Sequence, residues 1–316
     1  MGKKQKRFQK SRWLAEYIIA LSLLAFIKIL PFRMALRFGG CLGTLACRMD
    51  KRHRLITEDN LSKSFPEKTS GETREIARSV FRNLGYSAVE FFRSSRYGPR
   101  FDEYIEINGY SRYKKAIEKG RGLLLLTGHC GSWELLALAQ SVKKPPIGVV
   151  VRPLDNPYLD RLVSGLRTQY GNSIIGKVKG MREILRWLEQ GGAVGILLDQ
   201  NVKAKEGVFV DFFGRPACTN KGLALMAART KAPVLPAFIR RVGLDRHEIL
   251  VGDEIPLIET GDKEADVVAN TQAYTRAIED FIRKYPDQWF WMHRRWKTTE
   301  EISENSTAKP EAALHA

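Results

Sequence analysis

From Tyr104 onward the chain alternates between two kinds of segment, and this alternation limits the fold more than any other feature. Short apolar runs at 122–127, 147–151, 173–175, 193–198, 234–239 and 249–251 have the length and texture of strands. Between them, helical patterns occupy 133–140, 157–170, 181–189, 220–230 and 265–284. That is the order expected of βαβ units. The expected fold class is α/β, with a mixed, mostly parallel central sheet flanked by helices, over residues 104–297.

The front third reads differently. Residues 52–64 suit a helix, and Thr69-Ser-Gly-Glu72 forms a capping box opening another, with Ile76, Val80, Phe81, Leu84, Val89 and Phe92 on a helical period. We expect 33–103 to be a helical N-terminal region. Ahead of it, 1–32 reads as a basic N-terminus and apolar membrane anchor. Lys3, Lys4, Lys6, Arg7, Lys10 and Arg12 precede an apolar stretch, 13–32, interrupted only by Glu16 and Lys28. A span needs roughly 20 apolar residues, and the uninterrupted part, 17–27, is about half that. No small-residue cleavage motif follows, since Lys28, Pro31, Phe32 and Arg33 come next, so the segment is expected to be retained. Six basic residues on the far side, Arg33, Arg37, Arg48, Lys51, Arg52 and Arg54, leave the orientation undecided and suit a shallow, monotopic insertion. The alternative is a buried core helix. The polar end, 298–316, has no apolar period and is expected to be a disordered tail.

A chain of 316 residues with 44% hydrophobic composition can bury a catalytic-domain core, which excludes a disulfide scaffold and a disordered protein. Lys and Arg total 52 against 35 Asp and Glu, a net +17 that favours anionic partners: membrane lipid, a phosphorylated substrate, an acidic protein or nucleic acid. No nucleic-acid motif accompanies the charge, so no nucleic-acid partner is expected. Cys41, Cys47, Cys130 and Cys218 are scattered without ligand spacing, which argues against structural zinc and disulfides. No metal or cofactor is expected.

The chemistry concentrates where the run 122–127 passes into Gly128-His129-Cys130-Gly131-Ser132-Trp133-Glu134. A strand there gives way through glycines to a helix, and ligands of open α/β sheets bind at the carboxyl ends of strands. His129 and Glu134 are five apart, about 140° on one continuous helix, so they meet only if His129 precedes the helix. With Gly131 or Ser132 as cap, Glu134 lies in the first turn and is expected to reach back to the imidazole and orient it. A base so held can take a proton from a hydroxyl attacking an acyl carbonyl, without a nucleophilic residue or a metal. The rival readings are a structural histidine beside a capped helix, and Cys130 as an acyl-thioester nucleophile.

Four further blocks follow in order. They are Val150-Val151-Arg152-Pro153-Leu154-Asp155-Asn156-Pro157; Leu197-Leu198-Asp199-Gln200; Phe212-Phe213-Gly214-Arg215-Pro216-Ala217 with Thr219 and Gly222; and Tyr285-Pro286-Asp287-Gln288-Trp289 through Trp291-Met292-His293-Arg294-Arg295-Trp296. With the His129 block, the sequence resembles the lipid A late acyltransferases, the lauroyl and myristoyl transferases of lipid A biosynthesis, within the H-x4-D/E lysophospholipid acyltransferases. The resemblance covers nearly all of 13–297. It implies an O-acyltransferase that moves a fatty acyl group from acyl carrier protein, or coenzyme A, to a hydroxyl of a glycolipid at the cytoplasmic face of the bacterial inner membrane. A lysophospholipid or mannosylated phosphoinositide acceptor fits the same catalytic pair.

On that reading Arg152 serves a phosphate or the developing oxyanion. Asp199 pairs with Arg152 or another base near the site, or is a plain strand-end residue. Arg215 and Lys221 are further phosphate ligands, with the N-terminus of helix 220–230 beside them. Trp289, Phe290, Trp291 and Trp296 line an acyl channel, meet the membrane interface or belong to the core. His293 reads as structural.

Overall fold

A computed structural model describes residues 3–143, 146–176 and 180–299. Four helices lead: α1 (Lys3–Ile29), α2 (Phe32–Met49), α3 (Lys51–Ser64) and α4 (Ser70–Phe92). The α/β part runs α5 (Phe101–Tyr104), β1 (Ile105–Asn108), α6 (Tyr110–Ile117), β2 (Leu123–Thr127), α7 (Trp133–Lys143), β3 (Ile147–Val151), α8 (Pro157–Thr168), β4 (Ser173–Gly176), α9 (Gly180–Glu189) and β5 (Ala193–Leu197). It continues through β6 (Gly207–Phe212), β7 (Arg215–Asn220), α10 (Gly222–Thr230), β8 (Val234–Arg241), β9 (His247–Val251) and α11 (Lys263–Lys284).

Seven strands form one sheet in the order β1-β9-β8-β2-β5-β3-β4. Only β8 and β9 pair antiparallel; the other neighbours are parallel, as the βαβ alternation requires. The central strand β2 is buried throughout, and its leucines split by the two-residue period of a strand. Leu123 and Leu125 enter the core under α7, while Leu124 and Leu126 enter the core shared with α9 and α10.

Two strand regions lie outside the apolar runs. β1 has only two apolar residues and holds the sheet edge. β6 and β7 form a separate antiparallel hairpin turning at Phe213 (φ 56) and Gly214 (φ 71). Positive φ at both turn residues matches the twist of a tight hairpin but strains a bulky side chain. Phe213 is held there by its N–H to the buried Glu279 carboxylate, 2.8 Å away, and by packing on Phe65 and Trp291.

The capping box at Thr69 and Glu72 is formed and opens α4. α4 packs on α2 through glycines: a Cβ on Gly85 would lie 2.0 Å from the Gly39 carbonyl oxygen, and one on Gly43 would lie 2.2 Å from that of Phe81. Near its far end the buried Glu90 receives two hydrogen bonds from Arg241, at 2.6 and 2.7 Å, joining α4 to β8. Burial alone raises a carboxyl pKa, but Arg241 and His247 outweigh it and hold Glu90 down to about 2.

No helix among the described residues is long and apolar enough to cross a membrane. α1 and α2 nevertheless expose Ile18, Ile19, Phe26, Ile29, Leu45 and Met49. From residue 300 on, the expected tail lies outside the described residues.

Because the α2–α4 contact is backbone to backbone, Gly85→Ala forces the helices apart. A loss of about 1–3 kcal/mol is expected for such overpacking, read as a lower Tm and denaturation midpoint against the wild-type protein.

Candidate active site

β2 and β5 run side by side to their carboxyl ends, where Leu198 still donates its N–H to the Thr127 carbonyl at 3.0 Å. Beyond that bond the chains part and present His129 and Asp199 to each other. The His129 backbone N–H donates to Asp199 Oδ2 at 2.8 Å, and Nδ1 lies 2.9 Å from Oδ1. Trp289 Nε1 donates to the same Oδ2 at 2.8 Å. A Cβ on Gly128 would come within 3.2 Å of the Asp199 carboxyl carbon, so glycine clears the space for this approach.

This corrects the expected pairing of His129: Asp199, not Glu134, hydrogen-bonds the imidazole, and of the partners expected for Asp199 it takes a base of the site and not Arg152. Glu134 does lie in the first turn of α7, but it binds Arg167 of α8 through two hydrogen bonds, that to Nε at 2.9 Å. The imidazole sits in the loop before the helix, and the fork of Arg167 draws the longer acid toward α8. Glu134 reaches His129 only as a nearby negative charge.

Asp199 is buried, and burial alone would raise its pKa; His129 and the N–H donors outweigh that and keep it ionised, far below the usual range. For His129, burial disfavours the charged form, but the Asp199 carboxylate and its hydrogen bond prevail and raise the pKa above 6.5. With the Nδ1 proton directed at Asp199, Nε2 carries the free lone pair. The Gln200 amide nitrogen lies 3.3 Å from it. Cys130 is buried, and burial first, then the Asp199 charge, raise its thiol well above the ordinary value, which disfavours a nucleophilic thiolate.

The loop is closed by residues far along the chain. Gly131 (φ 54) donates its N–H to the Gln288 carbonyl at 2.6 Å, and Phe290 donates to the His129 carbonyl at 3.1 Å. A Cβ on Gly131 would stand 2.2 Å from the Ile239 carbonyl oxygen, so both the conformation and the packing require glycine. Trp289 and Trp291 are core residues, Phe290 packs near the His129 and Trp133 rings, and Trp296 lies under Arg215. None of these four lines the cavity described next.

His129 opens onto a cavity of 860 Å³. It is lined by Leu125, Val149, Ala237 and Tyr113 of the core under α7, and also by Ile184 of α9 and Met226 of α10. An apolar recess with few convergent polar groups is the usual form of a small-molecule site. Arg152 belongs to this wall with its side chain 79% exposed and 3.5 Å from Asp155. Arg215 and Lys221 do not. Arg215 donates to Ser64 Oγ at 3.1 Å and covers the Trp296 ring at 3.5 Å, serving packing. Lys221 precedes α10, and its neighbours Asn220 and Gly222 line the cavity in its place.

Sequence reasoning missed Arg167, whose signal, a basic residue in the last turn of α8, is shared by many helices. It also gave Gln200 no role beside Asp199. No group of His, Cys, Asp and Glu side chains able to hold a metal occurs among the described residues.

A family model for bacterial lipid A biosynthesis acyltransferases matches residues 1–298. The chain belongs to that family. It is 29% identical to the lipid A biosynthesis lauroyltransferase of Escherichia coli K12, over 90% of this chain and 92% of the relative. It is 26% identical to the palmitoleoyltransferase of the same organism, over 85% and 87%. A phosphatidylinositol mannoside acyltransferase of Mycolicibacterium smegmatis is 26% identical over 62% of this chain and 64% of its own length. The chain is therefore an acyltransferase, with a lipid acceptor and an acyl donor as its partners.

For the His129 imidazole to act as a base it must be neutral, so in that role kcat/KM is expected to rise with pH through its raised pKa. Asp199→Asn removes the charge that raises it and leaves the burial that lowers it. The acid limb then moves to lower pH, while the plateau falls by roughly 100-fold or more because the imidazolium loses its support. Rate–pH profiles of the two proteins provide the measurement.

Proposed function

We propose that this acyltransferase moves a fatty acyl chain from an acyl thioester, with acyl carrier protein favoured, to a hydroxyl of a lipid A precursor, using His129 as general base. The observation that carries the reading is the imidazole itself: Nδ1 is engaged by a buried carboxylate, and the ring stands at the mouth of a largely apolar cavity.

In the proposed step the acceptor hydroxyl takes the place of the Gln200 amide at Nε2. Its oxygen attacks the thioester carbonyl carbon as its proton passes to Nε2, and the carbonyl π electrons move to oxygen. When the adduct collapses, the C–S bond breaks and the proton on Nε2 goes to the departing sulfur. An ester and a thiol result, and Asp199 stabilises the imidazolium between the two transfers.

Arg152, exposed at the cavity wall, is assigned to a phosphate of the donor or acceptor. Lys221, between the cavity-lining Asn220 and Gly222, is assigned to the same role, whereas Arg215 is not assigned to substrate. The net +17 suits an acidic carrier protein, a phosphorylated acceptor and an anionic leaflet alike. The exposed apolar residues of α1 and α2, with basic residues at either end, support shallow insertion at the cytoplasmic face of the bacterial inner membrane. α1 is tied to the start of α8, whose cap Asn156 donates to the Trp13 carbonyl at 2.9 Å and to Glu16 at 3.0 Å. The mannoside relative makes a phosphoinositide mannoside the second acceptor to test.

Purified protein with an acyl-carrier-protein thioester and a tetra-acylated lipid A precursor is expected to add one acyl group, seen by mass spectrometry, and His129→Ala to abolish the addition. Transfer to the mannoside but not to the lipid A precursor would reassign the acceptor, and full activity in His129→Ala would remove the proposed base.

A further inference from the structure

The cavity wall holds a second imidazole that this mechanism leaves unused. His293 lines the cavity together with His129, Gln200 and Asn201. Its Nε2 accepts the Asn201 backbone N–H at 2.9 Å, so the ring proton must reside on Nδ1. Among the described residues, Nδ1 has no hydrogen-bond acceptor.

Three features make this group a prepared donor. The ring stays neutral at working pH, because burial above all pushes its pKa down to about 4. Its backbone is fixed, with the carbonyl receiving Asn60 Nδ2 at 2.9 Å. Two residues on, the buried Arg295 anchors the segment to β7 by donating to the Cys218 carbonyl at 2.9 Å. A neutral, immobile N–H on the wall of a partly apolar cavity is suited to negative charge that exists only in the transition state. Of the two arginines on this wall, Arg167 is bound to Glu134, and Arg152 is largely exposed and already beside Asp155.

We propose that His293 is a catalytic residue that donates its Nδ1–H to the oxyanion formed when the acceptor hydroxyl attacks the thioester. The proposal rests on the acyl-transfer reading above. The donor keeps its proton throughout, so the step remains balanced as written for His129.

The two nitrogens of His293 can be tested separately. In His293→Gln the amide oxygen can replace Nε2 and keep the Asn201 contact, while the Nδ1 donor is lost. In His293→Asn the shorter amide replaces the Nδ1 donor, and the Asn201 contact is lost. Steady-state kinetics with the thioester and lipid acceptor are expected to show kcat of the Gln variant reduced by roughly 100-fold or more. Its KM should change little and its acid limb should stay at the wild-type pH. The Asn variant is expected to retain most of kcat despite a lower Tm. An Asn variant as impaired as the Gln variant, or a Gln variant as active as wild type, overturns the oxyanion role. Absence of transfer by the wild-type protein removes the acyltransferase reading itself and this inference with it.

Discussion

The carboxylate of Asp199 is the hinge of the molecule. Enclosed at the end of β5, it receives the His129 backbone N–H, the imidazole and the Trp289 indole. These donors come from two stretches of chain, one at residue 129 and one at 289, that meet at this carboxylate. A buried anion is tolerated only when it is paired and hydrogen-bonded, and removing a partner from such a pair typically costs 3–5 kcal/mol. The same requirement that keeps the charge stable therefore sets the imidazole's position and orientation. Glu134 and Arg167 form an independent clamp between α7 and α8, which steadies the helix following the histidine without touching its ring.

The C-terminal run, 286–296, forms the other half of the site's frame. Gln288 and Phe290 hold the His129 loop by backbone hydrogen bonds. Asn60 secures the Trp291 and His293 carbonyls from α3. Arg295 is buried against β7, where burial lowers its pKa to about 10, and its guanidinium also lies over Phe212. The aromatic residues of this run are chiefly structural, and the apolar wall beside His129 is built from strand residues and α7.

Much of this was legible in the sequence, because the order of strands and helices follows from hydrophobic period. The His129 position follows from a leucine run ending in glycines. The hydrogen-bond partner of the imidazole was not legible. Spacing along the chain pointed to Glu134, five residues away, whereas the actual contact comes from a neighbouring parallel strand 70 residues later, and only strand order makes those ends adjacent. The β6–β7 hairpin was hidden because its turn is Phe213-Gly214 in place of the usual Asn-Gly, and a phenylalanine at positive φ is sustained only by tertiary contacts with Glu279, Phe65 and Trp291. Arg215 drew notice for its charge, but its planar group is used for stacking on Trp296, a distinction invisible without the packing partner.

The backbone bonds between residues 129–131 and 288–290 also order events in time. During synthesis α1 leaves the ribosome before the sheet, and the closing run leaves after it. The sheet's first strands can form while Gly131 still lacks the Gln288 carbonyl and Asp199 still lacks the Trp289 indole. A nascent chain thus has its leading helices well before the His129 loop and the Asp199 carboxylate have all their partners, so the candidate site stays unfinished until residues 288–290 have been made.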